Sequence, residues 1–154
     1  MNTLREEIKQ TKPFGSAEQE ASLSIGRTAA QLEHAFAEAI KAYGITGTQY
    51  NVLRILRGAG EGGLCRYEIS DRMVNQVPDV TRLLDRLENA GLIVRERGTE
   101  DRRHVLTRIT TAGLELLDVL DDPIQDLHQK QLGHLSSEQL TTLIELLALA
   151  RNPE

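Results

Sequence analysis

Apolar residues recur at helical spacing from Ser16 to Gly44, at Ala21, Ile25, Ala29, Leu32, Phe36, Ala39, Ile40 and Tyr43. This predicts one long helix of about seven turns, opened by a capping box of Ser16 with Gln19 and stopped by Gly44. Thr46 and Gln49 repeat the capping pattern before a short helix through YNVLRIL, with Val52, Leu53, Ile55 and Leu56 turned inward, that ends in the glycine-rich GAGEGG. A third helix lies around CRYEISDRMV, and a fourth in PDVTRLLDRLENAG, where Pro78 suits the first turn and Gly91 the C-terminal stop. On the fourth helix Val77, Val80, Leu83, Leu84 and Leu87 gather on one side. Pro78, Asp79, Arg82, Asp85, Arg86 and Asn89 face the other way.

The period then changes from helical to alternating. Leu92-Ile93-Val94 and Val105, Leu106 and Ile109 form two β-prone runs joined by a polar link of about ten residues, which reads as a β-hairpin with a charged tip. From Thr111 the helical period returns, kinked or interrupted near Pro123. Ser136 and Gln139 then cap a last helix with apolar positions at Leu140, Leu143, Ile144, Leu146, Leu147 and Ala150. Residues 1–15, polar and closed by Pro13 and Gly15, read as weakly ordered.

Two short helices joined by a tight connection make a helix-turn-helix, and a hairpin directly after it makes the winged arrangement. The predicted fold is mainly α with a small β-hairpin, in one domain over residues 1–154. Its parts are a winged helix-turn-helix over 46–110 and helices over 16–44 and 111–151. Those terminal helices carry apolar stripes broader than a small core needs, which fits either a spine for the monomer or a dimerisation layer built from both ends of the chain.

Composition narrows this further. A chain of 154 residues with 40% hydrophobic content and no tryptophan is long enough for one aliphatic core. The N-terminal residues lack an apolar signal region and no window is apolar enough for a membrane span, so a cytoplasmic location without membrane association is expected. The single cysteine, Cys65, excludes an intramolecular disulfide and a multi-cysteine zinc site.

The net charge of −5 argues against indiscriminate nucleic-acid binding, yet the charge is sorted along the chain. Between Arg66 and Arg108 stand nine arginines (66, 72, 82, 86, 95, 97, 102, 103 and 108) against eight acids, while all four lysines lie outside that window. The planar arginine fork suits phosphate oxygens and guanine edges. The other reading of the same residues is a set of solvated, salt-bridged helix faces.

The segments ITGTQYNVLRIL, RYEISDRM and VTRLLDRLENAGLIVRERGTEDRRHVLTRITTAG resemble the MarR (multiple antibiotic resistance regulator) family of winged-helix transcription factors over roughly residues 20–150. The resemblance implies a homodimer with interleaved terminal helices, double-stranded operator DNA of palindromic sequence as its partner, action usually as a repressor, and release by a small, often aromatic, effector. It makes 78–90 similar to the recognition helix, with Pro78, Asp79, Thr81, Arg82 and Arg86 as candidate DNA contacts. Arg95 and Arg97, at the base of the wing, either bind phosphate or pair with Glu96 and Glu100. The resemblance also implies that Asp101 holds the wing tip, that Arg103 enters the minor groove and that Arg102 contacts the backbone. It leaves the effector site unassigned.

The chain departs from the family at Cys65, where a serine or threonine usually caps the third helix. A thiol at a helix start beside Arg66 either is a small buried residue or serves as a redox sensor. The histidines at 34, 104, 128 and 134 lack metal-ligand spacing, and no cofactor is expected. Neither a nucleophile–base pair nor a glycine-rich phosphate loop is present, so the chain does not read as an enzyme. The rival reading, a winged-helix protein-interaction module without DNA binding, rests on the acidic balance and on Asp79 and Asp85 beside the arginines.

Overall fold

The structure is a computed structural model that describes residues 2–101 and 104–153, in two compact units, Met1–Gly47 and Thr48–Glu154. The first unit holds α1 (Leu4–Glu7) and α2 (Ala17–Lys41). Helix α1 falls where weak order was expected, because Thr3 and Glu6 form a reciprocal capping box that satisfies the first orphan N–H groups. In α2, Ser16 accepts from the Gln19 N–H as predicted, but the Gln19 side chain turns back to the Gly15 N–H instead of closing the box on Ser16. Ile40 is its single buried residue, so most of the predicted apolar stripe faces outward in the monomer.

The second unit runs α3 (Gly47–Ala59), a 3-10 turn (Gly60–Gly62), α4 (Arg66–Arg72), α5 (Val80–Asn89), β1 (Ile93–Arg97), β2 (Val105–Ile109), α6 (Thr111–Leu132) and α7 (Ser137–Arg151). Its core is aliphatic: Val52, Leu53 and Leu56 from α3, Ile69 from α4, Val80, Leu83, Leu84 and Leu87 from α5, Ile93, and Leu117, Leu120 and Ile124 from α6. Each such leucine withdrawn from water contributes about 1.5–3 kcal/mol. The face of α5 that the helical period assigned to the core is therefore the face that is buried. At its end Gly91 takes φ 74°, the left-handed stop that favours glycine.

Four differences from the sequence reading have local causes. Helix α5 starts two residues later than Pro78, because the Asp79 carboxylate accepts from the Arg82 N–H at 2.9 Å and so acts as its cap. The strands extend through Arg97 and the link shrinks to 98–104, since Arg95 finds acidic partners on α5 while Glu96 and Arg97 stay exposed to water. Helix α6 passes through Pro123 without interruption: the lost N–H would have served the Val119 carbonyl, and both residues are exposed, where water can take its place. Cys65 is half-buried at the start of α4, and its own N–H donates to the Glu68 carboxylate at 2.8 Å.

The hairpin is antiparallel, with Ile93 opposite Ile109 and Arg97 opposite Val105. Leu64 adds a one-residue bridge on its open edge, exchanging both backbone bonds with Thr107 at 2.8 and 3.0 Å. Gly63 has φ 67°, and a Cβ there would lie 2.8 Å from the Thr107 carbonyl oxygen, so only glycine permits this approach. On the far side Arg57 of α3 donates two bonds of 2.9 Å to Asp121 of α6. No helix among the described residues is long and apolar enough to cross a membrane.

Candidate nucleic-acid interface

The buried leucines of α5 leave two other faces. One carries Arg82, Arg86 and Asn89, all exposed; the other carries Thr81, Asp85 and Glu88 and lies toward the hairpin. Arg82 and Arg86 are one turn apart, and neither guanidinium donates to a side chain among the described residues; the same holds for Arg97 at the end of β1. Pro78 and Asp79 are exposed just before the helix.

Three other arginines of the charged window, Arg95, Arg108 and Arg66, are committed within the protein. Arg95 donates to Glu88 through Nε at 3.2 Å and Nη2 at 2.9 Å, and through Nη2 to Asp85 at 2.6 Å. Its partners are thus on α5 and not Glu96 or Glu100 of its own hairpin. The cause is the strand's pleat, which turns Arg95 toward the helix and leaves Glu96 to Arg108 across the ladder. The hydrogen bonds from Arg95 hold the Glu88 carboxyl below the usual carboxylate range, and the same bonds hold the Arg95 guanidinium still more firmly protonated. Arg108 also donates to the Glu61 carbonyl at 2.6 Å. Arg66 donates to the Thr81 hydroxyl at 3.2 Å and stacks over Tyr67, 5.2 Å from its ring centre.

These pairings give two acids of this region partners within the chain. Asp79 is a helix cap and Asp85 is an ion-pair partner on the hairpin side, so the carboxylates that the interaction-module reading set beside the arginines are both bonded within the chain. Sequence spacing could not separate committed arginines from available ones, because each pairing crosses between elements.

At the hairpin tip the Asp101 carbonyl accepts from the His104 N–H at 3.0 Å, the Gly98 N–H donates to the His104 carbonyl at 2.7 Å, and the His104 ring stands 3.6 Å from the Asp101 carboxylate. Arg102 and Arg103, the predicted backbone and minor-groove contacts, lie outside the described residues. A cleft of about 410 Å³ opens between α4, α5 and the hairpin, walled in part by Cys65, Arg66, Tyr67, Thr81, Arg95 and His104. Beside Cys65 stands the Glu68 carboxylate, held below its usual range by the Cys65 N–H. The described residues contain no group of three or more His, Cys, Asp or Glu arranged to hold a metal ion.

The exposed helix, its arginines and the paired hairpin match the parts of a winged DNA-binding element. The MarR family's sequence profile matches residues 45–105. The chain is 35% identical over 104 residues to the multiple antibiotic resistance protein MarR of Salmonella typhimurium, covering 67% of this chain and 71% of that one. Among solved structures it is similar to a MarR transcription factor from Planctomyces limnophilus, 40% identical with a TM-score of 0.68, over 89% of this chain and 99% of the other. It also shares the fold of an E. coli MarR mutant complexed with operator DNA, 24% identical with a TM-score of 0.77, over 97% of this chain and 99% of that one. The chain belongs to the MarR family and is a DNA-binding, winged helix-turn-helix transcriptional regulator.

Proposed function

We propose that the protein acts as a homodimeric repressor on a palindromic operator, with α5 in the major groove and the wing reaching the adjacent minor groove, and that a small effector of the aromatic kind releases it. The observation that carries the DNA-contact assignment is the sorting of arginines: Arg82, Arg86 and Arg97 are exposed and have no side-chain partner among the described residues, while Arg95, Arg108 and Arg66 are held within the protein. Arg82 and Arg86 then serve base edges and phosphates, and the Thr81 hydroxyl, which accepts from Arg66, keeps its proton for a phosphate oxygen. Arg97 and Arg102 take backbone contacts. Arg103 takes the minor groove, where a narrow A·T-rich stretch concentrates negative potential.

Residues 46–110 form the DNA-binding region in this reading, and 16–44 with 111–151 form the dimerisation region. Helix α7 supports the second assignment, because Ile144, Leu146 and Leu149 are 64%, 58% and 70% exposed in the single chain, apolar surface that association would cover. In an operator complex the two-fold axis of the dimer places two copies of α5 about one DNA turn apart.

The test is selection of a duplex from a randomised library by the full-length chain, followed by gel shift across a salt series. The expected result is enrichment of a palindrome, bound with a steep salt dependence that falls by about 0.9 in log–log slope for each phosphate contact removed. Arg82→Ala and Arg86→Ala lower affinity, and Arg103→Ala also flattens preference at A·T positions flanking the palindrome. Sedimentation that finds only monomer, or a library that yields no enriched duplex, overturns the reading.

A further inference from the structure

We propose that Arg95 is a positioning residue for DNA recognition: it clamps the base of the wing to α5 through Glu88 and Asp85, and so sets the spacing at which helix and wing meet the duplex. The inference rests on the DNA-binding reading above and assigns Arg95 a role distinct from the phosphate contact that its place in the charged window implies.

The geometry is that of a clamp. Glu88 presents both carboxylate oxygens to one residue, with Oε2 accepting from the backbone N–H of Arg95 at 3.1 Å and from its Nε at 3.2 Å, while Oε1 accepts from Nη2 at 2.9 Å. Asp85, three residues earlier on the same flank, takes a further bond from Nη2 at 2.6 Å. Four hydrogen bonds thus join a single strand residue to two helix positions about one turn apart. The Arg95 side chain is 22% exposed, against 50% for that of Asp85 and 38% for that of Glu88, so the guanidinium is the innermost member of the cluster. Arg95 also sits at the middle of β1, directly opposite Thr107, whose other edge is bonded to Leu64. The wing is therefore held at this position from both sides.

Holding two reading elements at one spacing matters for sequence recognition more than for attraction to DNA. Non-specific binding draws on phosphate charge and tolerates a range of poses, whereas simultaneous contact in a major groove and the adjacent minor groove does not. A planar fork can bridge two carboxylates at fixed angles, and an ammonium group on a flexible stem cannot.

The experiment compares the full-length wild type with Arg95→Met, Arg95→Lys, Asp85→Asn/Glu88→Gln and the triple Arg95→Met/Asp85→Asn/Glu88→Gln. The probes are the library-selected duplex and an unselected duplex of equal length. Arg95→Met is expected to weaken the selected duplex about tenfold while the unselected one changes by less than about twofold, with an unaltered salt slope. Arg95→Lys is expected to remain defective despite its charge. Asp85→Asn/Glu88→Gln is expected to show the same loss as Arg95→Met, and the triple variant to be no worse than either.

Loss on both duplexes alike with a slope shallower by about one would identify a phosphate contact and overturn the clamp. So would additive losses in the triple variant, or wild-type binding by Asp85→Asn/Glu88→Gln. The amide variants keep side-chain volume and carry the comparison if Arg95→Met does not fold. Failure to select any duplex overturns the DNA reading itself, and the clamp with it; a selected duplex with additive losses overturns the clamp alone.

Discussion

Replacing Gly113 by alanine sets two well-calibrated effects against each other. Gly113 is the third residue of α6, where alanine normally gains up to about 1 kcal/mol over glycine by restricting the unfolded chain. A Cβ at this position, however, would lie 2.5 Å from the Leu92 carbonyl oxygen and 2.6 Å from Ile109 Cγ1. To reach even 3.0 Å, the start of α6 must retreat by about 0.5 Å from the root of the hairpin. That root is a closed set of bonds: Thr110 N–H to the Leu92 carbonyl at 3.1 Å, the Thr110 hydroxyl to the Gly91 carbonyl at 2.7 Å, and Gly113 N–H to that hydroxyl at 3.2 Å. Overpacking of this kind costs about 1–3 kcal/mol, which exceeds the propensity gain. Gly113→Ala should therefore lower stability by about 1–2 kcal/mol, or Tm by roughly 2–8 °C for a chain of this size. Gly58, helical in α3 with nothing within 4 Å of the same virtual atom, is the matched control, and Gly58→Ala should raise stability. Urea unfolding of both variants at one protein concentration measures the difference. If Gly113→Ala were as stable as Gly58→Ala, the close contact between α6 and the hairpin root would be refuted.

Asp79→Ala should lower stability by about 1 kcal/mol through loss of the cap on α5, with Asp79→Asn close to wild type; tighter duplex binding by the alanine variant would show instead that Asp79 acts by repelling phosphate. The Asp121 carboxyl is held below its ordinary value of 3.8, first by hydrogen bonds from Arg57. Because its folded value lies below its unfolded one, the stability it contributes is complete above about pH 4 and lost as pH falls through the folded value. Asp121→Asn should accordingly flatten the fall of the urea midpoint below pH 4, and acid limbs parallel to wild type would deny the pairing a role in stability.

Much of the winged unit was legible in the sequence, because its signals are local. The leucines of α5 sit on one face at helical period, Gly91 ends the helix, and Ser136 with Gln139 caps α7 in the reciprocal form predicted. Alternation located the hairpin, though not its length, since Arg95, Glu96 and Arg97 read as loop when their neighbours across the ladder are unknown. Asp79 reads as a candidate DNA contact in the sequence, and its role as the cap of α5 is hidden there because a bond to the backbone leaves no periodic trace. The arginines were the hardest case. Arg82 and Arg95 look alike in sequence, and what separates them is the direction of a strand's pleat and the flank of a helix, neither of which spacing encodes. Pro123 shows the converse: a strong local breaker is overridden when the carbonyl it orphans faces water.

The bond pair between Leu64 and Thr107 has a mechanical consequence. A two-stranded ribbon joined to a protein only at its root can swing about that root, as a door does about one edge. Fastening the middle of β2 to the residue just before Cys65, the cap residue of α4, takes that swing away and makes the lower half of the ribbon part of the same rigid piece as the helix pair. Measured from Thr107 instead of from the root, the lever arm of the ribbon is shorter, so a given angular fluctuation makes a smaller displacement.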